Sequence, residues 1–559
     1  MTRAIANPFA PTLPLQDPDH RLGDRDVAAR LTLKYVPTAD FTATLKLLRS
    51  KGSNDGTGVS NQVVGCINAK PAIRGIIDPF GECKRDNHTT SGLPNAAIVA
   101  NGPYPAGATG KDEVLVGSLG LSYQTGPLSL VSTTGYFHLN AAYAGANDIS
   151  SYAQLFGAEL STIKSFSQEV RALNSFDGAF NFMNGAFYQD LDVTYEQRIK
   201  LSDTGNFNPA NGKYIAWVRP SYTHGKTYSA FGQLIVAPLP RVELAGGARF
   251  THETKDSFTQ NIYAFQATFS NGKSLSDRYS ENNVSPEVTL TWRPDGSSSI
   301  YAAYRSGFKS GGFGLSGSVQ TTTQASDLAF GSERARGSEV GAKGLLLGGK
   351  LRLQATAYGY EYSELQVNAF NPSTVSFTVA NAAKLNQKGI DLQALYQPVT
   401  AIQLHAAVNY NRNRFGTYLA QSYGAQTAAQ GCNVLPGPTQ NLTGRVSARS
   451  PDWSGNAGAV WDIPVGGGRI NLSADAFYTS GYFGSETLAP ATYQAGFWRF
   501  NAGATLYTAN DEFSFGLISR NLGNKYYLLT AQDKTNQPGD MRGTVARGRE
   551  IVHQAGYRF

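Results

Sequence analysis

Ile402-Gln-Leu-His-Ala-Ala-Val-Asn-Tyr-Asn411 alternates apolar and polar residues along nearly its whole length. Successive side chains of an extended strand point to opposite faces, so Ile402, Leu404, Ala406, Val408 and Tyr410 share one face, while Gln403, His405, Asn409 and Asn411 share the other. Directly before it stands Gln397-Pro-Val-Thr400, whose proline marks a tight turn. Further out the unit repeats. Val242, Leu244, Ala248 and Phe250 oppose Glu243 and Arg249, and Ile470, Leu472, Ala474, Ala476 and Tyr478 oppose Asn471, Ser473 and Asp475. A period of two fits a soluble sandwich, with its apolar face on a core, and equally a membrane sheet, with that face in lipid.

The connections choose between them. Short turns rich in Gly, Pro, Asn and Asp read at 36–40, 126–127, 175–178, 238–240, 294–296, 348–349, 397–400, 466–468 and 509–511. Between them lie longer loops, at 51–111, 141–162, 190–223, 256–280, 309–334, 367–382, 414–451, 481–495 and 522–546. With about nineteen candidate strands, this alternation puts every short turn at one end and every long loop at the other, the pattern of an antiparallel up-and-down transmembrane β-barrel. A sandwich rarely reaches 559 residues, tandem sandwiches should show linkers, and a propeller should repeat a blade motif.

Composition agrees. Charged residues make up 16% and aromatics 11%, with 60 Gly, 29 Tyr and 29 Phe, yet the mean hydropathy is −0.28. Only alternate residues of a barrel strand are apolar, which hides the lipid face from hydropathy. No apolar run is long enough for a membrane helix. The net charge of +7 is spread along the chain and forms no nucleic-acid patch. Seven scattered histidines build no ordered catalytic or metal motif, so no catalytic site, metal or cofactor is expected; a barrel-rim hydrolase is the enzymatic alternative. Cys66 and Cys83 share one long loop, where an exported protein could staple them as a disulfide, with two free thiols as the other reading. Cys432 lies in another long loop.

At the C-terminus Ile551, His553, Ala555, Tyr557 and Phe559 alternate with Val552, Gln554, Gly556 and Arg558. A terminal aromatic strand of this kind resembles the signal read by the barrel assembly machinery, with Tyr557 and Phe559 as its residues. Glu281-Asn-Asn-Val-Ser-Pro-Glu-Val-Thr-Leu-Thr-Trp-Arg-Pro294, followed by Ile300-Tyr-Ala-Ala-Tyr-Arg-Ser-Gly-Phe-Lys-Ser-Gly-Gly-Phe313, resembles a hairpin of the TonB-dependent outer-membrane receptors. So do Phe166-Ser-Gln-Glu-Val-Arg171, Arg336-Gly-Ser-Glu-Val-Gly-Ala-Lys343, Asn386-Gln-Lys-Gly-Ile-Asp-Leu-Gln393 and Ser519-Arg-Asn-Leu-Gly-Asn-Lys-Tyr526, in the family's order along the chain.

The resemblance implies about 19 of the family's 22 barrel strands, with no plug domain, TonB box or signal peptide. Residues 1–26 are then expected to be a partial outer loop left by N-terminal truncation, and 27–559 the barrel. It also implies active uptake of a ferric siderophore or similar large nutrient across the bacterial outer membrane, with membrane lipid, the assembly machinery and TonB-ExbB-ExbD as partners. A passive pore and an inactive receptor fragment are the alternatives. The loop aromatics Tyr104, Tyr222, Phe313, Phe330, Tyr423, Tyr482 and Tyr493, with His224, are the candidate ligand contacts, the headgroup girdle being the competing role for each.

Overall fold

The computed structural model describes residues 24–558, apart from 55–60, 87, 90–108, 153, 202–206, 211–213, 266–268, 372–375 and 434–437. Its principal sheet has twenty strands: nineteen long ones and the two-residue Tyr263–Ala264. The first seven long strands are β1 (Asp24–Thr38), β2 (Phe41–Asn54), β3 (Thr109–Thr125), β4 (Leu128–Ala146), β5 (Leu155–Asn174), β6 (Phe180–Leu201) and β7 (Ile215–Leu239). Next come β8 (Val242–Gln260), β9 (Ser274–Trp292), β10 (Ser298–Lys309), β11 (Glu333–Leu346), β12 (Leu351–Asn371) and β13 (Ser376–Val399). The last six are β14 (Ile402–Phe415), β15 (Trp453–Val465), β16 (Gly468–Thr479), β17 (Phe497–Tyr507), β18 (Phe513–Arg520) and β19 (Glu550–Tyr557). Each pairs antiparallel with the next in sequence. Among the described residues no helix is long and apolar enough to cross a membrane.

Every short turn of the sequence joins two of these strands at one end of the sheet. Five of them carry a proline, and at three of these the ladder slips: between Tyr35 and Thr38, Val236 and Leu239, and Tyr396 and Val399. The missing N–H of Pro37, Pro238 and Pro398 cannot pair, so the strand bulges there before turning. Glycine supplies the left-handed backbone of other turns, with Gly348 and Gly349 at φ 65° and 88°.

The two faces of the sheet differ as the alternation requires. Cross-strand partners Leu244 and Leu290, Phe250 and Val284, Leu392 and Val408, and Trp461 and Leu472 lie on one face, and all eight are exposed. The other face is polar and receives folded-in connections. Arg305 pairs there with Glu339, His405 with Asp475 at 2.8 Å, and Lys255 with Glu253 at 3.1 Å. The apolar face is therefore the outer wall and the polar face the inner one.

The long connections are shorter than the sequence suggests. β6 runs to Leu201 and β7 starts at Ile215, and β12 and β13 extend to Asn371 and from Ser376, so most of 190–223 and 367–382 is strand. Extending a hairpin beyond the apolar band keeps each backbone group paired, which a loop of the same residues would not do. At the other end of the chain, β1 takes in Asp24–Asp26, which were expected to be loop. Among the described residues β1 pairs only with β2, and β19 only with β18.

The protein's compact hydrophobic packing sits at the long-connection end. Cys66 and Cys83 form a disulfide there, with Cα atoms 6.0 Å apart. Beside it, Asn61–Gly65 from the β2–β3 connection pairs with Met541–Val545 from the β18–β19 connection, which in turn pairs with Leu528–Asp533. Val64, Leu528, Met541 and Val545 fill the space beneath this small sheet.

Candidate functional site

Three long connections, those following β14, β16 and β18, converge above the sheet beside the far ends of β12 and β13. Val367, Leu385, Phe415, Tyr418, Leu442 and Leu488 form their shared apolar floor. Next to it is a cavity of about 180 Å³, lined by Phe377, Tyr418, Arg449, Glu486, Gln532 and Asp533 among others. Arg449 forms an ion pair with Glu486 and donates to the Gly484 carbonyl at 3.4 Å. Burial pushes the Tyr418 phenol up to about 12, aided by the charge of Glu486. Asp533 accepts the Gly424 amide at 2.6 Å, and burial raises its carboxyl above the usual aspartate range. A cation, carboxylates, a phenol and an amide around one aromatic ring can grip a polar, multiply hydrogen-bonding solute.

A second layer lies on the inner wall. Trp217 Nε1 and Arg219 Nη2 both donate to Gln197 Oε1, at 3.1 and 2.7 Å. Arg219 and Ser221 also reach the carbonyls of Ser316 and Leu315, at 3.3 and 3.1 Å. The β10–β11 connection is thereby held against the wall, around a core of Phe313, Val319 and Leu328. Lys255 Nζ holds the Gly311 carbonyl at 2.8 Å. A Cβ at Gly311 would lie 2.6 Å from the Tyr279 ring, so close packing accounts for this Gly-Gly step.

The structure separates the candidate ligand residues. Tyr222 and His224 are not loop residues: both lie within β7, on the face that carries the exposed Phe258 and Leu234. Parity in the strand turns them to the outer wall, away from the inner cavity. Tyr222 donates to Asp192 at 2.8 Å, and His224 Nδ1 lies 2.8 Å from the same carboxylate; Asp190, Asp192 and His224 form one close cluster. Phe313 is core, Phe330 pairs beside it through Gly312, and Tyr423 packs on the Leu528 cluster. Tyr482 is buried and donates to the Leu528 carbonyl. Tyr493, 48% exposed, lies with its ring tilted against Phe483. Tyr557 lies on the outer wall against Phe513, ring centroids 4.9 Å apart. Tyr104 and Phe559 lie outside the described residues. The residues that sequence reasoning missed, Arg449, Glu486 and Asp533, carry no local motif. Their loops meet only in the fold.

The sequence model of the family described as "TonB dependent receptor-like, beta-barrel" matches residues 77–522. The chain belongs to the TonB-dependent receptors. A comparison with curated proteins finds no match. Among solved structures, the ferric yersiniabactin uptake receptor FyuA from Yersinia pestis is similar with a TM-score of 0.71 at 13% identity, over 99% of this chain and 73% of that one. The siderophore receptor PiuA from Acinetobacter baumannii gives 0.67 at 15%, over 97% and 76%, and the ferric citrate transporter FecA 0.65 at 14%, over 98% and 72%. At these identities the likeness is one of fold, and it places the nineteen long strands in the receptor barrel.

Proposed function

We propose that this receptor barrel takes up a ferric siderophore or a similarly large chelated nutrient across the bacterial outer membrane, driven by TonB-ExbB-ExbD. The observation that carries the reading is the cavity at the long-connection end, where Tyr418 and Arg449 of one loop meet Glu486 and Asp533 of two others above a polar inner wall. Among the structures whose fold it shares, FyuA is described as a ferric yersiniabactin uptake receptor and PiuA as a siderophore receptor. Membrane lipid would cover the exposed outer wall, and the assembly machinery would read the terminal strand. The barrel that performs this is also part of the proposal. β1 and β19 run in the same direction, so an odd number of antiparallel strands fits between their edges, which are unpaired among the described residues.

The test is uptake of radiolabelled iron by the producing cell, supplied as a panel of siderophores. Uptake that depends on this gene and on TonB, and that falls at least tenfold in Arg449→Ala, supports the reading. The polar inner wall also suits a passive pore. Uptake independent of TonB, together with steady conductance in planar bilayers, would establish the pore instead.

A further inference from the structure

The outer wall carries a cluster of cations that transport does not use. β11 to β14 present Arg336, Lys388, Arg412 and Arg414 on the outer wall, around one shallow groove. Their side is given by register: Lys388 pairs with Arg412, and two residues nearer the short turns Ile390 pairs with Tyr410, on the face of the exposed Ile390, Leu392 and Val408. Tyr410 packs tilted against Trp453, ring centroids 4.7 Å apart, an aromatic pair of the kind that marks the upper edge of a barrel's apolar band. The cations therefore sit at headgroup depth, facing lipid and not the lumen.

Two of the four are neutralised. Arg336 pairs with Glu361 at 2.9 Å, and Arg414 grips Asp452 through two contacts of 3.0 Å. Lys388 and Arg412 are exposed and make no ion pair among the described residues. They also stand directly opposite each other on one face, where like charges repel. An anion between them would turn that repulsion into two charge-assisted hydrogen bonds.

We propose that Lys388 and Arg412 bind the phosphate of a lipid headgroup in the outer leaflet, with Arg336 and Arg414 flanking it. A long, flexible lysine and a planar guanidinium reach a phosphomonoester from two sides, and the apolar residues below take the acyl chains. The proposal rests on the outer-membrane placement proposed above and is independent of the cargo.

The test uses the full 559-residue chain in detergent, titrated with diphosphoryl lipid A, phosphatidylethanolamine or inorganic phosphate and read by native mass spectrometry. The wild type should hold diphosphoryl lipid A at least tenfold more tightly than phosphatidylethanolamine. K388Q/R412Q should lose that preference, while K388R should keep it. The double variant should fold, since it removes a like-charge pair; strand circular dichroism and fractionation into the outer membrane check this and test the placement separately. Equal binding of diphosphoryl lipid A by wild type and folded K388Q/R412Q would overturn the proposal, as would equal retention of phosphatidylethanolamine. Displacement of the lipid by millimolar inorganic phosphate would assign the groove to a soluble anion and overturn the lipid reading.

Discussion

Lys534 is fully buried in the loops above the sheet, where Nζ donates to the Ala72 carbonyl at 2.7 Å. Burial lowers the pKa of its ammonium group, while Asp148 and Asp540 act to raise it. Asp540 in turn accepts the amides of Ala72 and Ile67, at 2.8 and 3.2 Å. A single lysine thus links the first long connection, the β4–β5 connection and the last. Removing one partner of a buried ionic group costs about 3–5 kcal/mol, because the remaining charges stay desolvated. Lys534→Met should therefore open these loops, seen as faster hydrogen exchange at Ala72 and Ile67 with the strand ladder unchanged. Asp533 gives a pH signature. Its carboxyl is raised by burial, so the folded loops bind a proton that the opened ones release. The stabilisation is complete below the ordinary aspartate value and is lost as pH rises through the raised one. The protection factor at Gly424, whose amide Asp533 accepts, should be lower at pH 8 than at pH 5 once the intrinsic base-catalysed rate is divided out, and Asp533→Asn should remove that difference.

Among the elements, the strands and the connections answer to different forces. A strand of this sheet is held by its ladder on both sides, and glycines on the inner wall let tyrosines lie flat across it: a Cβ on Gly341 would meet the Tyr301 ring at 2.6 Å. The β2–β3 connection is held by the two-residue hairpin of Ala72–Ile73 with Ile76–Ile77, its pairing with Met541–Val545, the Cys66–Cys83 disulfide and the contacts of Ala72 and Ile67 with Lys534 and Asp540. Closing a loop with the 17-residue separation of that bridge contributes about 3 kcal/mol through the unfolded chain. Cys66→Ser with Cys83→Ser should raise exchange in Asn61–Gly65 and Met541–Val545 and leave β7 and β8 protected. Unchanged exchange would show that the connection is held without the disulfide, by its hydrogen bonds and packing.

Across the whole molecule, the pairing of Asn61–Gly65 with Met541–Val545 joins the two ends of a sheet whose terminal strands do not pair with each other among the described residues. Unpaired backbone at membrane depth costs several kcal/mol per group, so the loops form a clasp where the ladder does not. Asn61 faces Thr544 across that clasp. Asn61→Cys with Thr544→Cys should cross-link in intact cells with a short bismaleimide, and the single variants should not. Absence of the cross-link in protein that fractionates with the outer membrane would mean that the clasp does not form there.

The strands, their order and the side of each connection follow from local chemistry, as Ile402–Phe415 and its preceding proline turn illustrate: a two-residue period sets the faces, and a missing N–H sets the bend. The disulfide partners shared one loop and were readable as a candidate pair. The cavity was not readable, because Tyr418, Arg449, Glu486 and Asp533 are far apart in sequence and come together only when three loops pack. The same holds for Tyr222 and His224. Their residue types suggested a ligand, but strand extension past the apolar band and parity within β7 turned them outward, and both depend on pairing with β6 and β8 and not on their own neighbours.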